Sequence, residues 1–331
     1  MERQLIGSSH ALRTSFLVAL LACMACLFAG GAPARAEVAA KKLFGKVARP
    51  ADLASRSIGS YARGCLAGAR PLPLTGQNWQ VMRLSRNRNW GHPALIAYLE
   101  RLANDVAASG DWPGLLVGDL AQPRGGPMLT GHNSHQIGLD ADVWLTPMPN
   151  RVLTEQERED ISAVSMLRSG KMEVDPSVFT LAHAKLLARA ASYPEVARIF
   201  INPAIKRALC DIQWSDRSFL RKIRPWGGHH YHFHVRLDCP PGSQGCKDQD
   251  PPPPGDGCGA ELDAWFRPPP ANAPKRKPRP ELTLASLPRE CRTVLEVGGG
   301  VSVSAAVQSS MGSPSEVIID GVPMPRRRPA R

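Results

Sequence analysis

Beyond its first 36 residues, this sequence of 331 residues has no apolar run long enough to cross a bilayer. It also has no basic helix and no aromatic–basic strand motif of the kind that recognises nucleic acid. Internal repeats are absent as well. We therefore expect no stable membrane insertion and no nucleic-acid partner.

The first 36 residues have the three parts of a secretory signal peptide. Arg3 and Arg13 precede the apolar run 16–30, and Ala34-Arg35-Ala36 follows it as a small-residue cleavage site. We expect residues 1–36 to be removed and the exported chain to begin at Glu37. The alternative is that residues 21–23 are a lipid-attachment signal on Cys23, but the Ala34-Arg35-Ala36 cleavage site matches its pattern more clearly.

Six cysteines remain after the signal peptide: Cys65, Cys210, Cys239, Cys246, Cys258 and Cys291. An even number of cysteines in an exported chain predicts three disulfides. Six cysteines allow about 15 pairings, and the sequence does not choose among them. The short loop from Cys239 to Cys246 is the easiest to close.

Positive charge is concentrated near the C-terminus. The formal charge is +12, and loss of three basic residues and one acidic residue with the signal peptide leaves +10. Residues 267–331 hold eleven basic and five acidic side chains, so +6 of that excess lies there. This predicts weak attraction of the tail to anionic polymers.

The pattern of apolar residues predicts an α+β fold, a small and mostly antiparallel sheet with surrounding helices. Helices are expected over 93–109, from a capping box at Thr154 and Glu157 to about 167, and over 177–192. Strands are expected over 115–117, 143–145, 196–201 and 231–237. Because helices and strands do not alternate regularly, a doubly wound parallel sheet is disfavoured.

Composition divides the mature chain into a domain and a tail. Residues 37–266 form the predicted globular domain. Residues 267–331 interleave proline with lysine and arginine, and they predict a largely disordered tail because they bury too little apolar surface to offset chain entropy. Cys291 is expected to tie this tail back to the domain.

Six of the nine histidines fall in two short segments, GHNSHQIGLDAD (131–142) and GGHHYHFH (227–234). Catalytic zinc takes three protein ligands, typically histidine with histidine or carboxylate, and leaves one position open for water. A turn that leads into a strand can bring His135 and Asp142 together. His232 and His234, two apart on a predicted strand, face the same side.

Either segment alone has a simpler interpretation, since exposed histidines bind metals adventitiously and Asp140 and Asp142 could be solvated strand-edge carboxylates. Both segments in one exported domain favour a metal site. Neither contains cysteine, which disfavours a structural thiolate site.

The flanking motifs narrow the interpretation. The segments SRNRNWGHP (85–93), VGDLAQPRGGPM (117–128), SHQIGLD (134–140) and HFHVRL (232–237) resemble, in order and spacing, the penicillin-insensitive murein endopeptidases. That family is related to lysostaphin-type and D-Ala-D-Ala metallopeptidases. The resemblance covers roughly residues 54–266 and implies a zinc metalloendopeptidase of the periplasm. Its substrate would be the D-Ala–meso-diaminopimelate cross-links of peptidoglycan, without inhibition by β-lactams.

Carried over to this sequence, the resemblance implies metal ligation by His135, Asp142 and His234, with His132 near the metal. It implies His232 as the catalytic histidine and His229 as an auxiliary one. Asp140 would support the site by a hydrogen bond. From their chemistry alone, Arg86, Arg88 and Arg124 are candidates to bind stem-peptide carboxylates, and a solvated or structural role is an equal alternative for each of them. The implied disulfides are Cys65–Cys291, Cys210–Cys258 and Cys239–Cys246.

One departure from the family concerns a second zinc. Residues 166–175 lack the histidine of the expected Asp-x-x-His pair, and Glu173 and Asp175 are weak substitutes. One Zn²⁺ is therefore predicted, and a second is doubtful. The alternatives are a zinc D,D- or L,D-carboxypeptidase of peptidoglycan and a non-catalytic wall-binding module.

Overall fold

The structure is a computed structural model that describes residues 37–268, 270, 272 and 280–298. The predicted signal peptide and the end of the predicted tail lie outside these residues. The described helices are α1 (Ala40–Phe44), α2 (Pro93–Ala108), α3 (Glu155–Asp160), α4 (Leu181–Ser192), α5 (Pro203–Asp211), α6 (Ala260–Asp263) and α7 (Glu290–Glu296). The described strands are β1 (Arg56–Ser60), β2 (Arg63–Ala67), β3 (Arg70–Pro71), β4 (Trp79–Val81), β5 (Trp90–Gly91), β6 (Leu115–Val117), β7 (Asp140–Trp144), β8 (Val196–Ile201), β9 (Ile223–Pro225) and β10 (His232–Leu237).

Six strands form the central sheet, in the order β4-β6-β7-β10-β8-β9. The three inner pairings are antiparallel, and the two outer ones, β4 with β6 and β8 with β9, are parallel. Helices α2 and α4 contribute apolar side chains to the same buried cluster as the sheet. The predicted α+β fold with a small, mostly antiparallel sheet is confirmed.

Helix starts follow local capping chemistry. His92 caps α2, since its Nδ1 accepts from the backbone N–H of Ala94 at 3.1 Å, and Pro93 occupies the first turn. The predicted capping box of Thr154 and Glu157 opens α3. Helix α4 begins at Leu181 rather than at the predicted residue 177, because the cap is formed by Thr180 and His183.

Helix α3 ends at Asp160, well before the predicted residue 167. The guanidinium of Arg83 donates to the carbonyl oxygens of Arg158, Glu159 and Ile161. These carbonyls would otherwise accept bonds from the next turn of helix. A tertiary contact therefore ends the helix.

A smaller buried cluster joins the two ends of the described chain. Leu43 and Phe44 of α1, Ile58 of β1 and Val294 and Leu295 of α7 belong to it. The Cys65–Cys291 disulfide crosses this cluster. The domain boundary at residue 266 remains a prediction, but the described residues 280–298 pack on the domain.

The disulfides pair Cys65 with Cys291, Cys210 with Cys258, and Cys239 with Cys246. These are the three pairs that the family resemblance implied. In the part of the chain that the structure describes, every helix is too short or too polar to span a bilayer.

Candidate metal centre

The site lies on one face of strands β7 and β10. The odd-numbered residues of these strands, such as Val143, Phe233 and Val235, are buried in the main core. Because side chains alternate along a strand, Asp140, Asp142, His232 and His234 share the opposite face. His234 is paired directly with Asp142 in the antiparallel ladder.

A tight turn brings His135 to the same face. His135 has φ of 65°, in the left-handed region that is unusual for a side-chain-bearing residue. Its backbone N–H donates to Oδ2 of Asp140 at 2.9 Å, which holds this conformation. Gly138 follows with φ of 70°, and a Cβ there would lie 2.4 Å from Cδ2 of Leu66. The turn therefore requires glycine at this position.

Ring nitrogens of histidines surround the carboxylate of Asp142. Nε2 of His135 and Nδ1 of His234 are each 3.5 Å from its Oδ1, and Nε2 of His132 is 3.5 Å from its Oδ2. These separations exceed hydrogen-bond lengths. They match the edge of a tetrahedron, roughly 3.4 Å, that ligands about 2.1 Å from one ion would span.

Two of the potential ligand atoms lack a hydrogen-bond partner among the described residues. Nε2 of His135 and Oδ1 of Asp142 are buried and make no hydrogen bond. A buried polar atom without a partner is costly, which a bound cation would relieve. The most compact group of potential ligand atoms found among the described residues comprises His132, His135 and Asp142, and this group could hold a metal ion.

The electrostatics suit ligation. Burial raises the pKa of Asp142, but the charges of His232 and His135 outweigh it and hold the pKa well below its ordinary value. Burial lowers the pKa of His234 to about 4, so its ring is neutral at pH 7. Burial also lowers the pKa of His135, yet the Asp142 carboxylate produces a net increase. A metal ion would compete with a proton for the ring of His135.

Asp140 supports the site from behind. It accepts from Nε of Arg236 at 2.7 Å and from Nη2 of Arg236 at 3.2 Å. Nε2 of His234 is 3.0 Å from Oδ1 of Asp140, although this contact lacks hydrogen-bond geometry. Nδ1 of His234 therefore faces Asp142, while Nε2 of the same ring faces the carboxylate of Asp140. Histidines that bind metals are commonly oriented in this way.

Asp119 is a further carboxylate at the site, and sequence reasoning assigned it no role. Its Oδ2 accepts from Nη1 of Arg88 at 2.8 Å and from Nη1 of Arg86 at 3.0 Å, and it lies 3.1 Å from Nε2 of His132. Burial raises the pKa of Asp119, but the bond with His132 and the two arginines hold it far below its usual range. The only sequence indication was its place in the motif VGDLAQPRGGPM.

His232 and His229 border the possible ligands. Nε2 of His232 is 3.6 Å from Oδ1 of Asp142, and burial lowers its pKa to about 4. The ring of His229 lies 4.9 Å from that of His232 and 5.9 Å from that of His234. His229 has φ of 49°, and burial lowers its pKa. The structure thus brings all six predicted site residues together.

Arg124 lies outside the site and has a structural role, the alternative to its binding a stem-peptide carboxylate. Its side chain is buried and donates to the carbonyl oxygens of Arg49, Val294, Leu295 and Val297. Of the weak candidates for a second metal, Glu173 pairs with Arg168, and Asp175 accepts from Ser177.

Comparisons with known proteins identify one family. The family model described as penicillin-insensitive murein endopeptidase matches residues 57–296. A penicillin-insensitive murein endopeptidase of Haemophilus influenzae is 48% identical over 237 residues, which cover 71% of this chain and 82% of that protein. A protein of the same name from Klebsiella pneumoniae is 44% identical over 252 residues, covering 76% of this chain and 90% of its own length. A third protein of this name, from Pectobacterium atrosepticum, is 42% identical over 261 residues, which cover 78% of this chain and 90% of that protein.

Proposed function

Because the chain belongs to the penicillin-insensitive murein endopeptidase family and hydrolyses peptide bonds of peptidoglycan, we propose that it does so with one zinc ion held by His135, Asp142 and His234. The bond cleaved is the D-Ala–meso-diaminopimelate cross-link, in the periplasm, after export by the signal peptide. β-Lactams do not inhibit it, since this chemistry uses no serine nucleophile.

The observation that carries the proposal is the set of ring nitrogens at 3.5 Å from Asp142. His234 is preferred as the third ligand because Asp140 lies behind its other nitrogen. His132 lies equally near Asp142, but its Nε2 is also held by Asp119. We assign His132 to the margin of the centre, where it can approach the metal.

Zinc would supply a Lewis acid for the scissile carbonyl and a bound water whose pKa falls to about 7. At pH 7 the ring of His232 is neutral, since its pKa is about 4, and its Nε2 can accept a proton from the attacking water. Its Nδ1 is buried and lacks a partner among the described residues, so no carboxylate orients it as a ligand. His229 assists from beside His232, and its ring is fixed by the contact of Nδ1 with the carbonyl of Gly227.

The test is incubation of the purified protein with cross-linked muropeptide dimers, with and without a chelator, followed by mass analysis. We expect conversion of dimers to monomers, its loss with chelator, and its return with added Zn²⁺. Metal content is measured in parallel by atomic spectroscopy. Loss of terminal D-Ala alone would identify a carboxypeptidase. Binding to sacculi without any cleavage would identify a wall-binding module.

A second contact with the cell wall, made by the basic tail, is also predicted. Residues 267–331 carry a net charge of +6 from eleven basic and five acidic side chains. We propose that they attract anionic polymers weakly, an interaction that salt would screen.

A further inference from the structure

Two arginines donate to the same oxygen of Asp119, but of the two only Arg86 has an exposed side chain. We infer that Arg86 binds the free carboxylate next to the scissile bond and thereby makes this carboxylate a requirement for efficient cleavage. This inference rests on the proposed function, since it concerns the substrate of the same site.

Arg86 lies at the margin of the metal centre. Its Nη1 is 3.0 Å from Oδ2 of Asp119, and Nε2 of His132 is 3.1 Å from that same oxygen. Nε2 of His132 is in turn 3.5 Å from Oδ2 of Asp142. Three short contacts therefore connect the guanidinium of Arg86, through Asp119 and His132, to the carboxylate of Asp142 at the centre of the site.

The two arginines differ in exposure and in the number of donors they use. The Arg88 side chain is 10% exposed, and its Nη2 donates to the carbonyl oxygen and hydroxyl of Thr130. The Arg86 side chain is 46% exposed, and among the described residues its guanidinium has no partner other than Asp119. A guanidinium has about five N–H donors in a planar fork, so Arg86 retains a bidentate face for a carboxylate.

The charge balance favours an anion at this place. One carboxylate, Asp119, faces two guanidinium groups, Arg86 and Arg88, which leaves one positive charge uncompensated. A substrate carboxylate that enters beside Asp119 would meet this excess positive charge, which the exposed guanidinium of Arg86 presents.

The backbone under Arg86 is held in a fixed conformation. Arg86 ends a 3₁₀-helix, Leu84–Arg86, between Arg83 and Asn87, which have φ of 60° and 50°. The guanidinium of Arg83 binds backbone carbonyls near the end of α3, and the side chain of Asn87 accepts from Nε1 of Trp90 at 2.8 Å. Left-handed conformations at two non-glycine residues persist only where contacts enforce them. A donor fixed in advance loses less entropy on binding.

The proposed cross-link offers a carboxylate at the right place. The residue that contributes the scissile nitrogen carries its free carboxylate on the same carbon as that nitrogen. Two bonds therefore separate the carboxylate carbon from the scissile nitrogen. When the scissile carbonyl is at the metal centre, this carboxylate lies a few ångströms away, at the margin where Arg86 is found.

The inference is tested with two dimers that differ in one group. One has the free carboxylate beside the scissile bond, and the other has this group converted to a carboxamide. We expect the wild-type enzyme to prefer the free acid by about ten- to a hundredfold in kcat/KM, the range of a charge-assisted hydrogen bond. Arg86→Gln should reduce this ratio to near one. Arg86→Lys, which keeps the charge but loses the fork, should retain part of it.

The ratio separates recognition from structural damage, because a disturbed site would slow both dimers alike. Arg101→Gln is the matched control, since Arg101 is an exposed arginine on α2 whose partner, Glu195, lies outside the site. It should keep the wild-type ratio. Metal content and melting temperature of each variant verify that the centre is intact.

A wild-type ratio in Arg86→Gln, or equal cleavage of both dimers by the wild-type enzyme, would overturn the inference alone. Failure of the metal-loaded wild-type enzyme to cleave either dimer would instead overturn the proposed function, and this inference with it.

Discussion

His234 and Asp142 stand opposite each other in the ladder between β7 and β10, with Nδ1 of His234 3.5 Å from Oδ1 of Asp142. Phe233 and Val235 fill the core on the other face of β10, and both are fully buried. A slip of one residue would turn these apolar side chains outward and the histidine into the core. Core packing therefore fixes the register that brings the two polar groups together.

Substitution of His234 by alanine should abolish metal retention and activity together. The variant removes a proposed ligand and leaves Asp142 with one fewer nitrogen at 3.5 Å. Because ligation by three groups is cooperative, bound metal should fall from about one equivalent to a small fraction of it after gel filtration. Atomic spectroscopy measures the metal, and circular dichroism verifies the fold. Stoichiometric zinc in folded His234→Ala would rule out the ligand assignment.

Substitution of His232 by alanine should separate metal binding from turnover. This histidine is assigned to proton transfer, a contribution of about 10²–10⁴-fold. We expect His232→Ala to retain zinc and to lose kcat by about this factor on muropeptide dimers, with a smaller change in KM. Wild-type turnover in the variant would disprove the assigned role. Loss of metal would make His232 a ligand instead.

The sequence predicted much of this site because the relevant geometry is local. The alternation of side chains along one strand places His232 and His234 on one face, and the turn before β7 is short enough to bring His135 to Asp142. That β10 lies beside β7 could not be read from spacing, since it depends on a sheet order of β7-β10-β8. The resemblance to a family supplied the expectation that the two segments form one site.

What the sequence did not predict depends on contacts between distant residues. Asp119 binds His132, and Arg236 binds Asp140 across 96 positions, and neither pair has a local pattern. Helix α3 ends early because of Arg83, which lies more than 70 positions before it. Arg124 stands in a motif that resembles the family, and the sequence leaves open whether it binds substrate or has a structural role. Its place beneath α7 is visible only in the folded chain.

Replacement of Arg124 by methionine should destabilise the domain rather than alter substrate recognition. Methionine keeps part of the aliphatic packing but removes the donors to the carbonyls of Val294, Leu295 and Val297 at the end of α7. Loss of charge-assisted bonds in a buried place costs about 2–4 kcal/mol in total. Urea unfolding with the disulfides intact measures the free energy of unfolding.

Arg101→Met serves as the comparison for Arg124→Met. Arg101 is exposed and forms an ion pair with Glu195, so its removal should cost less than about 1 kcal/mol. Equal losses in the two variants would show that the buried bonds of Arg124 add nothing specific. A change in the preference between muropeptides in Arg124→Met would restore a role in substrate binding.

Lys206 predicts a dependence of stability on pH. Its side chain is buried on α5, and Nζ donates to the carbonyls of Leu220 and Asp256 at 2.8 and 2.6 Å. Burial lowers the pKa of Lys206 to about 7 from its ordinary 10.5. The unfolded chain therefore binds this proton more tightly than the folded one, so the destabilising effect is largest below pH 7 and fades as the pH rises towards 10.5.

The measurement compares wild type with Lys206→Met, which keeps the aliphatic stem but cannot titrate. Between pH 7 and pH 9 the free energy of unfolding of the wild type should rise relative to that of the variant by on the order of 2 kcal/mol. Other titrating groups are common to both proteins and cancel in the difference. A difference that stays constant over this range would show that the buried amine keeps its ordinary pKa, with the two carbonyl acceptors offsetting the cost of burial. A difference that moves in favour of Lys206→Met would show that folding raises this pKa, which contradicts the prediction outright.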